Sequence, residues 1–219
     1  MRPISMLAVA AALFLSGCEN FVFSEAPWFS AEDAVGTGAV RAGWWMEDKP
    51  DCRVDLAAPS TAWPDCTNFV LAPADWTGLL WEADGTEHML VGGDPMIAQY
   101  QIQTSKDAAT PSQNAYLYLG VAALKRDAEG RAVVLRYWPT LCGPPRRDRV
   151  AAVTRRPWPE VHVQPDGGCV VDDVRMLRKA ADRSRALKTD TPTLRWLRDW
   201  RPGDQSEADW LAGQGIRTH

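Results

Sequence analysis

The chain is poor in the residues that do chemistry. It has three histidines in 219 residues, and none lies close in sequence to a cysteine. No C-x-x-C pair occurs either, so the ligand spacings of a zinc site are missing. No G-x-S-x-G is present to form the nucleophile elbow of a Ser–His–Asp hydrolase. Gly92-Gly93-Asp94-Pro95 reads as a turn without the following helix that would cradle a phosphate. These absences leave no metal, nucleotide or cofactor signature. Long apolar runs are equally scarce: beyond the first fifteen residues nothing approaches the ~18 needed to span a bilayer as a helix.

What polar chemistry remains is scattered. His88 falls just past a hairpin turn, His162 sits in the strand-like VHV, and His219 is the last residue. Glu82 and Glu87 flank the first hairpin turn, where paired carboxylates ~5–9 Å apart would suit glycoside hydrolysis. Two exposed edge charges are the simpler account of them.

The amino terminus is more informative. Arg2 and the terminal amine give a small positive region, and Met6–Leu15 is an unbroken apolar run of ten residues, long enough for a signal-peptide core. Leu15-Ser16-Gly17-Cys18 then supplies two small residues and a thiol. This order resembles the lipobox of bacterial lipoproteins, over residues 1–18 only. The resemblance implies cleavage between Gly17 and Cys18, thioether lipidation of Cys18 and N-acylation of the new terminus. Two or three acyl chains at one point anchor stably where one would not. Residue 19 is Glu rather than the Asp associated with inner-membrane retention, which favours the outer membrane.

Removal of residues 1–17 leaves about 200 residues, enough for one self-sufficient core. Four cysteines follow Cys18: Cys52, Cys66, Cys142 and Cys169. An even count beyond an export signal reads as two disulfides, and locality favours Cys52–Cys66 and Cys142–Cys169 among the three possible pairings. Charge is uneven. Residues 19–119 carry 15 Asp and Glu against 4 Lys and Arg, while residues 120–219 carry 13 against 19. The halves either complement each other within the fold, or the basic half meets an anionic partner such as lipid headgroups, a glycan or an acidic envelope protein. Nucleic acid is no partner on that side of the membrane.

Along the chain, residues 18–43 read as lipid anchor and tether, and 44–219 as a single periplasmic domain. Short strands are expected at Phe69–Leu71 and around Asp84-Gly85, a strong hairpin turn. Met96–Gln103 alternates, so Met96, Ala98, Tyr100 and Ile102 should face a core and Gln99, Gln101 and Gln103 water. Two further hairpins join Tyr116–Lys125 to Arg131–Trp138, and Val161–Gln164 to Cys169–Val171. Such short connections imply antiparallel pairing. Residues 172–213 read as helical: a first helix capped by Asp172 or Asp173, a second opening at Thr191-Pro192, and a third behind an Asp204/Glu207 capping box. The expected class is therefore α+β, an antiparallel meander of six to eight strands, curled or partly closed, with C-terminal helices packed on it.

Two binding candidates stand out. Tryptophan is unusually abundant, 11 against 5 Phe and 4 Tyr, and Trp196 and Trp200 would share a helix face. The Pro/Arg-rich stretch 142–159 holds Arg146, Arg147, Arg149, Arg155 and Arg156, whose guanidiniums suit phosphate or carboxylate. The leading functional expectation is a membrane-anchored, non-catalytic binding or envelope-assembly module. The competing expectations are an envelope hydrolase acting on peptidoglycan or glycans, and a curled sheet holding a small apolar ligand.

Overall fold

Alternating apolar residues and tight polar turns dictate antiparallel strands through most of the chain, and the computed structural model bears this out. It describes residues 20–34, 40–64, 69–72, 79–82, 87–104, 113–145, 154–164, 168–187, 191–199, 201 and 204. In chain order the elements are β1 (Phe23–Ser24), α1 (Ala31–Ala34), β2 (Gly43–Glu47), a 3-10 turn (Ser60–Ala62), β3 (Phe69–Ala72), β4 (Leu79–Glu82), β5 (Glu87–Val91), β6 (Met96–Thr104), β7 (Gln113–Arg126), β8 (Ala132–Pro139), β9 (His162–Val163), β10 (Cys169–Val170), α2 (Val174–Arg185) and β11 (Thr193–Arg198). One curled sheet runs β1-β7-β6-β5-β4-β3-β2-β11-β8, and β8 also pairs β7. The hairpins read from the sequence are present: β4 pairs β5 with Leu79 opposite Met89, and β9 pairs β10 with Val163 opposite Cys169.

The fold divides into two compact units. One comprises residues 29–100, 119–138 and 188–219. Its core gathers Trp45, Leu90, Met96, Ala98, Val121 and Leu135, all buried, with Leu194 and Trp196 packed against them. Both faces of β2 are covered: Trp44, Trp45 and Met46 are each at most 1% exposed. Trp44 meets the edge of Trp63 at 5.7 Å, so the segment after β2 folds back over the strand it has just left. At Gly43 the backbone takes φ +123°, and a Cβ there would collide with the Arg198 carbonyl; only glycine lets β11 come this close.

The other unit comprises residues 1–28, 101–118 and 139–187. Helix α2 starts where Asp173 accepts a hydrogen bond from the Met176 amide at 2.7 Å, the capping expected of that aspartate. It buries Leu177, Ala180, Ala181 and Ser184, a narrow stripe of small residues that lets it lie close. The Ser184 hydroxyl accepts from the Leu141 amide at 3.0 Å, satisfying a backbone donor that pairing had left over. Cys142 and Cys169 form a disulfide across a separation of 27 residues.

Three expectations change. The stretch expected to open a second helix at Thr191-Pro192 is β11, inserted between β2 and β8 with Arg195 opposite both Met46 and Val134. Its T-L-R-W-L-R alternates as well as it fits a helix, and two waiting strand edges outweigh a proline-primed start. Gln99 does not face water: it is 4% exposed because the segment before α1 covers that face, and its side chain exchanges two 3.0 Å hydrogen bonds with the Phe29 backbone. Asp204, read as the start of a capping box, pairs with Arg198. Within the stretch read as a tether, residues 20–24 are woven into the fold, with Phe23 opposite Leu117 and Ser24 opposite Tyr116 in β7. The expected third helix behind Asp204 lies outside the described residues.

Candidate functional site

Residues 20–22 build a closed backbone network. Asn20 is fully buried. Its carbonyl accepts from the Cys142 amide at 3.0 Å, and its side-chain amide donates to the Gly143 carbonyl at 3.3 Å. Phe21 bridges Leu141, and Val22 bridges Cys169. The two halves of the disulfide are therefore held together by Asn20, Phe21 and Val22 as well as by the sulfur bond.

The same network carries the arginine-rich stretch. The Cys142 carbonyl accepts from the Trp158 amide at 2.8 Å. The Thr154 hydroxyl donates to Pro144 O at 3.2 Å and accepts from the Arg156 amide at 3.1 Å, folding the chain into a turn. A Cβ on Gly143 would collide with the Arg156 carbonyl, so the two strands of this loop touch backbone to backbone. Arg155 and Arg156 are exposed, and among the described residues neither side chain has an ion-pair or hydrogen-bond partner. Nearby acids are already engaged: Glu160 takes both guanidinium hydrogen bonds of Arg183, at 3.0 and 3.1 Å. Arg146 and Arg147 lie outside the described residues.

The tryptophan candidates resolve differently. Trp196 lies on β11, half-buried against the core; its indole N–H donates to Ala42 O at 3.0 Å and Arg41 stacks over its ring at 3.7 Å. It is thus held on both its polar and its π faces, and serves packing. Trp200, Cys18 and Cys66 lie outside the described residues, and with Cys66 the expected Cys52–Cys66 pair, although Cys52 is itself disulfide-bonded. Trp196 and the pair Arg155–Arg156 belong to different units.

His162 donates to or accepts from Asp172 at 2.9 Å, with the two side chains 59% and 61% exposed. An acid–base pair working in a cleft needs shielding from water that this pair lacks. The side chains of His88, Glu82 and Glu87 lie outside the described residues. No group of three potential metal ligands occurs among the described residues, and none of their helices is long and apolar enough to cross a membrane.

Two features escaped sequence reading. The first is a buried ion pair. Arg198 grips both oxygens of Asp204 at 2.6 Å, with the side chains 5% and 2% exposed. Asp204 also accepts from the amides of Ser60 and Arg201 at 3.2 and 3.0 Å and from the Trp44 indole at 3.3 Å. Chiefly through the Arg198 hydrogen bonds, and against the opposing effect of burial, its carboxyl is held well below the usual carboxylate range. The second is a shallow concavity of about 400 Å³ between the Cys52–Leu56 segment and β11, with Met46 and Leu197 on its floor and Arg53 and Arg195 at its mouth. Asp48 lies 3.8 Å from Arg195, so that mouth is not an uncompensated cationic site. Tyr118 marks the other unit: burial pushes its phenol up to about 12, although its 2.5 Å hydrogen bond with Ser24 acts the other way.

No family model, curated protein or solved structure matches the chain.

Proposed function

We propose that the chain is a lipoprotein of the bacterial envelope, anchored through lipid on Cys18 and facing the periplasm, that binds or helps assemble envelope components without catalysing a reaction. Glu19 favours the outer membrane as its site. The observation that carries this reading is the Leu15-Ser16-Gly17-Cys18 order behind a ten-residue apolar core, followed downstream by a buried disulfide between Cys142 and Cys169. A lipobox delivers a protein to an oxidising compartment, and such a bond persists there. The exposed guanidiniums of Arg155 and Arg156, without an ion-pair partner among the described residues, are the binding groups that the reading brings forward.

The test is expression of the full chain in a bacterium, followed by fractionation and intact mass measurement of the mature protein. The expected product begins at Cys18 and carries a diacylglyceryl group, and Cys18→Ser leaves a folded, soluble domain. Continued membrane association of the Cys18→Ser protein, or a mature terminus elsewhere, would falsify the anchor.

A further inference from the structure

We infer that the anchor leaves no slack, and that Arg155 and Arg156 rest on the phosphate groups of the lipid surface itself. The inference rests on the reading of Cys18 as the lipidated residue and specifies the partner of the arginine-rich loop.

The reach of the anchor is short. Cys18 and Asn20 are two residues apart, at most about 7 Å of extended chain. Asn20 is not the start of a linker: it is fully buried and fastened at both its carbonyl and its side chain to Cys142 and Gly143. The next four residues are pinned in turn, Phe21 to Leu141, Val22 to Cys169, Phe23 to Leu117 and Ser24 to Tyr116. The acyl chains therefore pull on the folded unit directly. Asn20 itself lies within about one Debye length of the headgroups, roughly 8 Å at physiological ionic strength.

The loop bearing the arginines touches the residues that hold Asn20. The Arg156 carbonyl abuts Gly143, whose own carbonyl holds Asn20, and the Trp158 amide bonds the carbonyl of Cys142. Arg155 and Arg156 are exposed, and among the described residues no acid pairs with either. The surrounding stretch 142–159 contains five arginines and one acid, Asp148. Guanidinium forks match phosphate oxygens bidentately, and a polybasic segment gains attraction only inside the screening distance that the short link enforces. The lipid surface is thus the one anionic partner that the chain's own covalent geometry brings to this loop.

The experiment uses the lipidated protein, purified and reconstituted in phosphatidylcholine vesicles with or without phosphatidylglycerol. A photocrosslinker is placed beside the arginines, as Pro157→p-benzoylphenylalanine, at an exposed position that keeps both. Intact mass first reports lipidation at Cys18; its absence refutes the anchor reading and not the geometry. In lipidated protein the expected result is a lipid adduct at position 157, stronger with phosphatidylglycerol. The adduct should fall at least about 5-fold in Arg155→Ser/Arg156→Ser, from the attraction of each basic residue to an anionic surface. It should fall likewise when about 12 Gly/Ser residues, with an r.m.s. reach of about 20 Å, are inserted after Cys18. Both changes fall on exposed or preceding residues, so folding is unaffected and a common thermal midpoint verifies it. A lipid adduct insensitive to the arginines and to the spacer, or an adduct to protein instead of lipid, overturns the inference.

Discussion

Replacing Asp204 by Asn keeps the volume and removes one charge from the Arg198–Asp204 pair. Arg198 then keeps a guanidinium that is 5% exposed with no counter-charge. One of the two oxygens that accepted it at 2.6 Å becomes an NH2 group that cannot accept. Breaking a buried pair from one side costs about 3–5 kcal/mol, a large part of the ~5–15 kcal/mol that holds a typical domain together. The same carboxylate anchors Ser60, Trp44 and Arg201, so the loss should loosen the cover over β2 together with β11. The acid response follows from the sign of the shift. The folded Asp204 has its pKa depressed below the unfolded value of ~3.9. Its stabilisation is therefore full above about pH 4, and is lost as pH falls through the lower, folded-state value, because the unfolded chain takes up the proton first. Urea unfolding with disulfides intact, from neutral pH down to about pH 2, measures both effects. A double-mutant cycle with Arg198→Met should return a coupling above about 1 kcal/mol. A loss below about 1 kcal/mol in Asp204→Asn, or an acid slope unchanged by it, would refute the reasoning.

Opening the Cys142–Cys169 bond frees a loop of 27 residues and should cost about 3–4 kcal/mol, read as a lowered urea midpoint in Cys142→Ser/Cys169→Ser. The folded baseline should persist at low denaturant, since Asn20–Val22 still bridge both segments. Gly120→Ala places a methyl inside the Trp138 indole and should cost about 1–3 kcal/mol by overpacking, with a changed near-ultraviolet tryptophan signal; an unchanged midpoint would mean the two strands separate freely at that point.

The arginine-loop inference and the buried pair show where sequence reading stops. Arginine density in 142–159 was visible, but a pile of basic residues has no partner until something shows where it lies. That came from Asn20, an unremarkable polar residue two positions after Cys18, whose burial depends on contacts more than a hundred positions away. Asp204 and Glu207, three apart, satisfy a local capping rule that says nothing of an ion pair. The partner of Asp204, Arg198, is close in sequence, but the burial that gives the pair its strength comes from Ser60 and Trp44.

Local physics determined much of this protein from the chain alone. Alternation and two- to five-residue polar turns set β4–β5, β7–β8 and β9–β10, because a hairpin's turn and its two strands are contiguous. Cysteine proximity set Cys142–Cys169, and Asp173 set the start of α2. The tertiary structure alone decided three things. It made Thr193–Arg198 a strand, since open edges on β2 and β8 supplied hydrogen bonds that a lone helix could not match. It turned Gln99 inward, since a segment seventy residues earlier covers its face. And it joined residues 20–24 to the folded body. In each case the deciding energy is burial or pairing between segments remote in sequence, which no window along the chain contains.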